Sequence, residues 1–398
     1  MFQESQYSEE QSMIAASIFQ LAKKHDQRYF LNTTKNNEFP SQLWSHLSTA
    51  GYLGALVDPK NGGSGFSSYD LAVFVHNMAL HGLASFQMLD QLLCSDIISQ
   101  YASDHQKVQY LPGLVAGERW SYACLEQATG QSLFDFNLSA SKEGDVYRLN
   151  GQKTYVLGAT DASRLIVPAR TKPRDENNPE SGISFFIVDP SMPGVTTSCA
   201  HVNVRVTEER EEMSVTGDTF YFVNFDDVTV PVENILGEEN SGGSYIKKIA
   251  SRSMLLTALM NTGWCDRMIE KTVNYANQRT IYKDPIGSYQ AVQHPIVLAK
   301  TDVEMAKLLI ERAVEVFDDV NDLDELQNYC GVAKYYACEA AQATFDVSFQ
   351  AHGGSGYDRD TGIIGLWPLV LLSRVVPLNP EAILEKFAED VMDLPVSN

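Results

Sequence analysis

Two places in this chain hold residue types that could do chemistry. Near the C-terminal end, Gln350-Ala351-His352-Gly353-Gly354 sets an amide, an imidazole and two glycines side by side. Paired glycines give either a tight turn between helices or a point where backbone comes close to a ligand. His352 fits a turn or the edge of a cofactor equally well. Upstream stands Arg279, whose planar guanidinium can donate two bonds at once.

Several familiar chemistries are missing from the sequence. Gly62-Gly63-Ser64-Gly65 is not followed by Lys and Ser or Thr, so it is not a phosphate-binding P-loop. No Gly-x-Ser-x-Gly nucleophile elbow occurs. The histidines contain no H-x-x-x-H pair, and His294 reads as structural. Cys94, Cys124, Cys199, Cys265, Cys330 and Cys338 form no C-x-x-C pair, so neither a zinc site nor a disulfide framework is expected. Asp358 and Asp360, on either side of Arg359, read as a solvated loop.

The elements that must position these residues are many. The chain has 398 residues, 44% of them hydrophobic, which is ample for a large core and predicts two or three domains. A net charge of −21 repels nucleic-acid phosphates and anionic lipid, so neither is an expected partner. The acidic, polar start is neither a secretory nor an Arg-rich transit sequence, and no run of about 20 apolar residues predicts a membrane span. These features point to a reducing cytoplasm.

Hydrophobic period divides the chain in three. Residues 8–116 read as helices, with stripes over 8–24, 69–80 and 86–101. From about residue 120 the pattern becomes β: a strand, turn and strand over 147–156, a buried strand over 183–188, and more strand over 212–218 and 220–230. After Gly242-Gly243 long helices return over 246–275, 292–317 and 326–349, with Pro295 tolerated early in the second.

Within this order lies a series of phrases: YLPGLVAGE at 110–118, SYACLE at 121–126, LNGQKTYV at 149–156, FDDVTVPVENILG at 225–237, Arg279 before Pro285-Ile286, and QAHGGSGY at 350–357. Together they resemble the acyl-CoA dehydrogenase family over almost the whole chain. The resemblance implies an α+β multidomain fold: an N-terminal helical domain (1–118), a central β-domain (119–238) and a C-terminal four-helix bundle (239–398). It also implies FAD at a dimer interface. A buried carboxylate with a raised pKa would remove the substrate α-proton while a hydride passes to the flavin.

Carried onto this chain, the family's glutamate falls at Pro377, or at Leu378 with a one-residue slip; Glu381 stands four residues on, past a second proline. The other glutamate slot known in relatives falls at Ser251, just before Arg252. Neither slot holds a carboxylate, so the catalytic base is unassigned, and Ser251 and Arg252 are expected to line the cavity. On the flavin's home side the resemblance places Cys124, Leu125 and Tyr155, together with Gln131, Leu157 and Asn379, several of them where hydroxyls usually stand. The half donated by a neighbouring subunit falls on Arg279, Gln290, Gln350, Gly353 and Gly354, all of the expected type. The expectation is a flavoprotein for an acyl thioester of CoA or an acyl carrier protein, with a non-standard base or altered oxidation chemistry, including activation of O₂. It would hold FAD weakly or share it, as a homodimer, homotetramer or heteromer with a related subunit. The alternative is a redox-inactive homologue completing a partner's FAD site.

Overall fold

The computed structural model describes residues 4–26, 29–30, 33, 38–127, 132–200 and 218–395. Helix α1 (Glu9–Lys24) begins in a capping box. Ser8 accepts from the Gln11 N–H and the Gln11 side chain accepts from the Ser8 N–H, so two otherwise unpaired donors are satisfied. Ile14, Ile18 and Leu21 form its buried stripe. Then follow α2 (Ser41–Thr49), α3 (Ser68–Leu80), α4 (Phe86–Tyr101) and α5 (Asp104–Val115). Both α3 and α4 are buried over most of their length, α4 including its polar Gln87, Asp90, Gln91, Ser95 and Asp96.

The middle of the chain forms strands β1 (Trp120–Tyr122), β2 (Ser139–Glu143), β3 (Val146–Leu157), β4 (Arg164–Arg170), β5 (Ile183–Val188), β6 (Val195–Cys199), β7 (Phe220–Pro231) and β8 (Ile235–Leu236). They make one sheet in the order β6-β7-β3-β2-β4-β5-β8, with β1 beside β4. Residues 147–156 are not a hairpin. They lie in the single strand β3, because both halves pair with β7 and the register slips at Leu149/Gly151 and again at Lys153/Val156. Asn150-Gly151 is therefore an irregularity in one strand rather than a reversal. Gly151 has φ 143°, and a Cβ there would come within 2.8 Å of the Leu138 backbone. Of the strand expected over 212–218, residues 212–217 lie outside the described residues.

Helix α6 (Gly242–Gln278) returns from the sheet. It opens on two glycines because Cβ atoms there would sit 2.8 Å from the Ile183 carbonyl and 2.5 Å from that of Glu180. This seats the helix start against β5. A short hairpin (Thr280–Ile281 with Asp284–Pro285) leads to α7 (Gln290–Phe317) and α8 (Leu323–His352). Then come α9 (Trp367–Val375) and α10 (Pro380–Met392). One apolar core joins the N-terminal helices to this bundle, and a second fills the sheet. No described helix is long and apolar enough to cross a membrane.

Candidate functional site

Where α4, the sheet and α6 meet, they line a cavity of about 130 Å³. From α6 it is lined by Ile246, Ile249, Ala250, Ser253 and Thr257. That spacing is one helical face. Ser251 and Arg252 fall off this face and do not line the cavity, against expectation. The Ser251 hydroxyl instead donates to the Lys247 carbonyl at 2.9 Å. The Arg252 guanidinium lies 3.7 Å over the Phe317 ring and 3.3 Å from an Asp96 carboxylate oxygen.

The opposite slot does reach the cavity, as Val376 and Pro377. Lys334, buried in α8, holds this loop by donating to the carbonyls of Arg374 (2.9 Å) and Leu378 (2.5 Å). Pro377 offers no proton acceptor on its side chain, and Leu378 is buried outside the lining. Asn379 caps α10, its side-chain oxygen accepting the Ala382 N–H at 2.8 Å. Glu381 sits in the first turn of the same helix, outside the cavity lining.

The sheet side of the cavity carries Tyr122, Cys124, Leu125, Thr154, Tyr155 and Leu157. The Tyr155 ring is 45% exposed, and its backbone takes φ 53° at the second irregularity of β3. Burial pushes the Cys124 thiol up, so it stays protonated. Beneath Leu125, the fully buried Lys153 ammonium meets Glu126 at 2.7 Å and donates to the Cys124 carbonyl at 3.1 Å. Glu126 also accepts N–H bonds from Asn137 and Leu138. Its carboxylate therefore braces the loop and is not a free base. Gln131 lies outside the described residues.

A carboxyl does line the cavity, at a position sequence reasoning missed. Asp90 projects from α4 among Phe86, Leu89 and Leu93. Burial raises its pKa to about 8, against the opposing effect of the Tyr122 N–H, which donates to it at 3.1 Å. The available signal was an acid whose helical neighbours Phe86, Leu93 and Cys94 are apolar, with Gln87 as the one polar exception.

A second pocket, larger and open, lies at the ends of α6 and α8. Arg279, Gln350, Gly353 and Gly354 line it together, about 1180 Å³ in all. Gln290, at the exposed start of α7, is not in its lining, although Ala291 and Val292 beside it are. His352 lines the pocket, stacks on Tyr275 at 4.5 Å, and its Nδ1 lies 2.7 Å from the Ser348 carbonyl. Gly353 takes φ 57°, which favours glycine. A Cβ at Gly353 or Gly354 would meet nothing within 4 Å. Contacts within the chain do not demand glycine at Gly354, and the space beside it is open. Among the described residues no His, Cys, Asp and Glu cluster could hold a metal.

Three family models match in sequence: the acyl-CoA dehydrogenase N-terminal domain over residues 8–118, the middle domain over 121–228 and the C-terminal domain over 240–376. The chain belongs to the acyl-CoA dehydrogenase family. It is 25% identical to acyl-CoA dehydrogenase fadE12 of Mycobacterium bovis over 392 residues, 98% of each chain. The structure described as PigA with FAD and proline superposes with a TM-score of 0.88 at 22% identity, covering 98% of this chain and 99% of that one. The prolyl acyl carrier protein oxidase AnaB superposes at 0.86 and 22% identity, covering 96% and 99%. Two of these structural neighbours, described as the FAD complex of PigA and as PigA with FAD and proline, hold FAD. One feature of this chain fits such a group: the open glycine cradle beside Arg279.

Proposed function

We propose that this protein is an FAD-dependent oxidoreductase acting on an acyl thioester, carried by CoA or by a carrier protein, with each flavin site completed by two copies of the chain. The observation behind this reading is the pair of pockets on one chain. The apolar cavity offers walls for a ring and an acyl group. The second pocket offers an arginine, an amide and open backbone for a diphosphate. Leu125 and Tyr155 would hold the ring, and Arg279, Gln350, Gly353 and Gly354 the phosphates of a flavin seated mainly on the other copy. FAD, when bound, supplies the hydride acceptor.

The chain's own residues then do the rest. Phe86, Leu89, Leu93, Ile246 and Ile249 exclude water and hold the acyl group. Water exclusion strengthens any polar contact to the thioester carbonyl. Proton removal from the acyl α-carbon has no carboxylate at either family slot, and this sets the chemistry apart from ordinary desaturation. A second reading rests on that same observation: a redox-inactive subunit that lends Arg279 and the glycine cradle to a related chain.

Purified protein mixed with FAD and then with a short acyl thioester distinguishes the two. The flavoenzyme reading expects stoichiometric yellow protein, bleached anaerobically by the thioester. A protein that stays colourless in excess FAD contradicts it and supports the lending subunit.

A further inference from the structure

The floor of the cavity is wrong for a plain alkyl chain. Its walls are apolar, yet α4 sets a carboxyl among Phe86, Leu89 and Leu93, at the cavity lining. Among the described residues, the Tyr122 N–H is the one hydrogen-bond donor to Asp90, at 3.1 Å on a single carboxyl oxygen. The Tyr122 hydroxyl, from the same lining, is buried and among the described residues meets no N or O partner, only the weakly bonding Cys124 thiol. Asp218, the other carboxylate that acts on Asp90, repels it and is itself engaged by the N–H groups of Phe86 and Gln87. Buried polar groups lacking partners cost free energy, and a ligand that supplies the missing bonds recovers it. A pure hydrocarbon would fill the walls but leave Asp90 and Tyr122 unsatisfied. A site built around a polar group rejects the analogue lacking it far more strongly than an apolar pocket rejects one methylene.

Resting on the acyl-thioester reading, we infer that Asp90 and Tyr122 form a polar subsite that selects acyl groups bearing an O–H or N–H on the chain over unsubstituted alkyl groups. Cys124 adds a protonated thiol next to the Tyr122 hydroxyl, a weak third partner. Asp90 is a specificity-determining residue here, and no proton transfer is assigned to it.

Non-reactive thioether analogues of two isosteric acyl-pantetheines, 4-hydroxybutyryl and pentanoyl, test this by titration calorimetry on the FAD-loaded protein. Pantetheine is the arm shared by CoA and carrier proteins, so the result does not depend on the carrier. The wild type is expected to bind the hydroxylated probe at least about tenfold more tightly. Asp90→Leu should erase that preference. Asp90→Asn, which keeps an acceptor for the Tyr122 N–H and a donor for the ligand, should keep most of it and serves as the folded control. Equal binding of both probes by the wild type, or a preference unchanged in Asp90→Leu, overturns the polar subsite while leaving the thioester reading intact. Failure of both probes to bind overturns both.

Discussion

The cavity between α4 and α6 is small and walled by leucines, isoleucines and aromatic rings, with Leu125 and Leu157 where the family resemblance expects hydroxyls. The pocket at the ends of α6 and α8 is wide and keeps the expected polar set, with Arg279 and Gln350 beside Gly353 and Gly354. On the proposed reading, one chain has kept the grip it would offer to a diphosphate and changed the surfaces that would meet a ring and an acyl group. Diphosphate binding needs the same donors whatever the reaction, whereas the ring and acyl surfaces set what the reaction is.

The largest expected effect concerns the support beneath the changed surface. Lys153→Met would leave Glu126 buried without its cation, costing about 3–5 kcal/mol. Denaturant titration should show that loss; a loss under about 1 kcal/mol would mean that the Lys153–Glu126 pair does not brace the cavity. Next comes the retained grip. Arg279→Ala should weaken FAD binding roughly 10- to 100-fold, the worth of charge-assisted bonds to a phosphate, with little change in stability. Unaltered affinity in a flavin fluorescence titration would separate this pocket from the flavin.

The third prediction is a pH dependence. The Asp90 pKa is raised above its unfolded value, to about 8, mainly by burial. Between the ordinary carboxylate range and about pH 8 the folded state therefore holds more protons than the unfolded state. The contribution of Asp90 to stability is greatest in acid, falls as pH rises through that window, and levels above it. Urea midpoints of the wild type relative to Asp90→Asn should fall from pH 5 to pH 8; a constant difference would show that Asp90 is ionised throughout. The smallest effect is at the cradle. Gly354→Ala meets open space within its own chain, so stability should change by less than about 0.5 kcal/mol. FAD affinity should nevertheless drop several-fold, and an unchanged affinity would mean that no ligand enters the cradle.

Much of this was legible beforehand, where local rules and tertiary packing agree. The run Ile183–Val188 and the helix Phe86–Tyr101 end where their composition changes. Arg279, Gln350, Gly353 and Gly354 converge although more than seventy positions of chain separate the first from the others. The sequence misled where a local signal had two outcomes. Asn-Gly favours a hairpin turn, but at Asn150-Gly151 both flanking segments found the same partner strand. Ser251 was placed by its neighbour Arg252, yet one step along a helix is about 100° of rotation, enough to turn a side chain from the cavity. Asp90 and the Lys153–Glu126 pair went unseen because single acids and lysines read as surface residues until the fold shows what surrounds them.

The central claim is that each flavin site draws on two copies of this chain. A complementation measurement tests it directly. Leu125→Glu should abolish the ring side of a site, and Arg279→Ala should cripple the diphosphate side. Each variant alone should purify nearly colourless. Co-expressed with different affinity tags and isolated as mixed assemblies, the two should carry one FAD per pair of chains, because one site in each pair then collects both lesions and the other neither. Mixed assemblies as colourless as the parents would contradict the account.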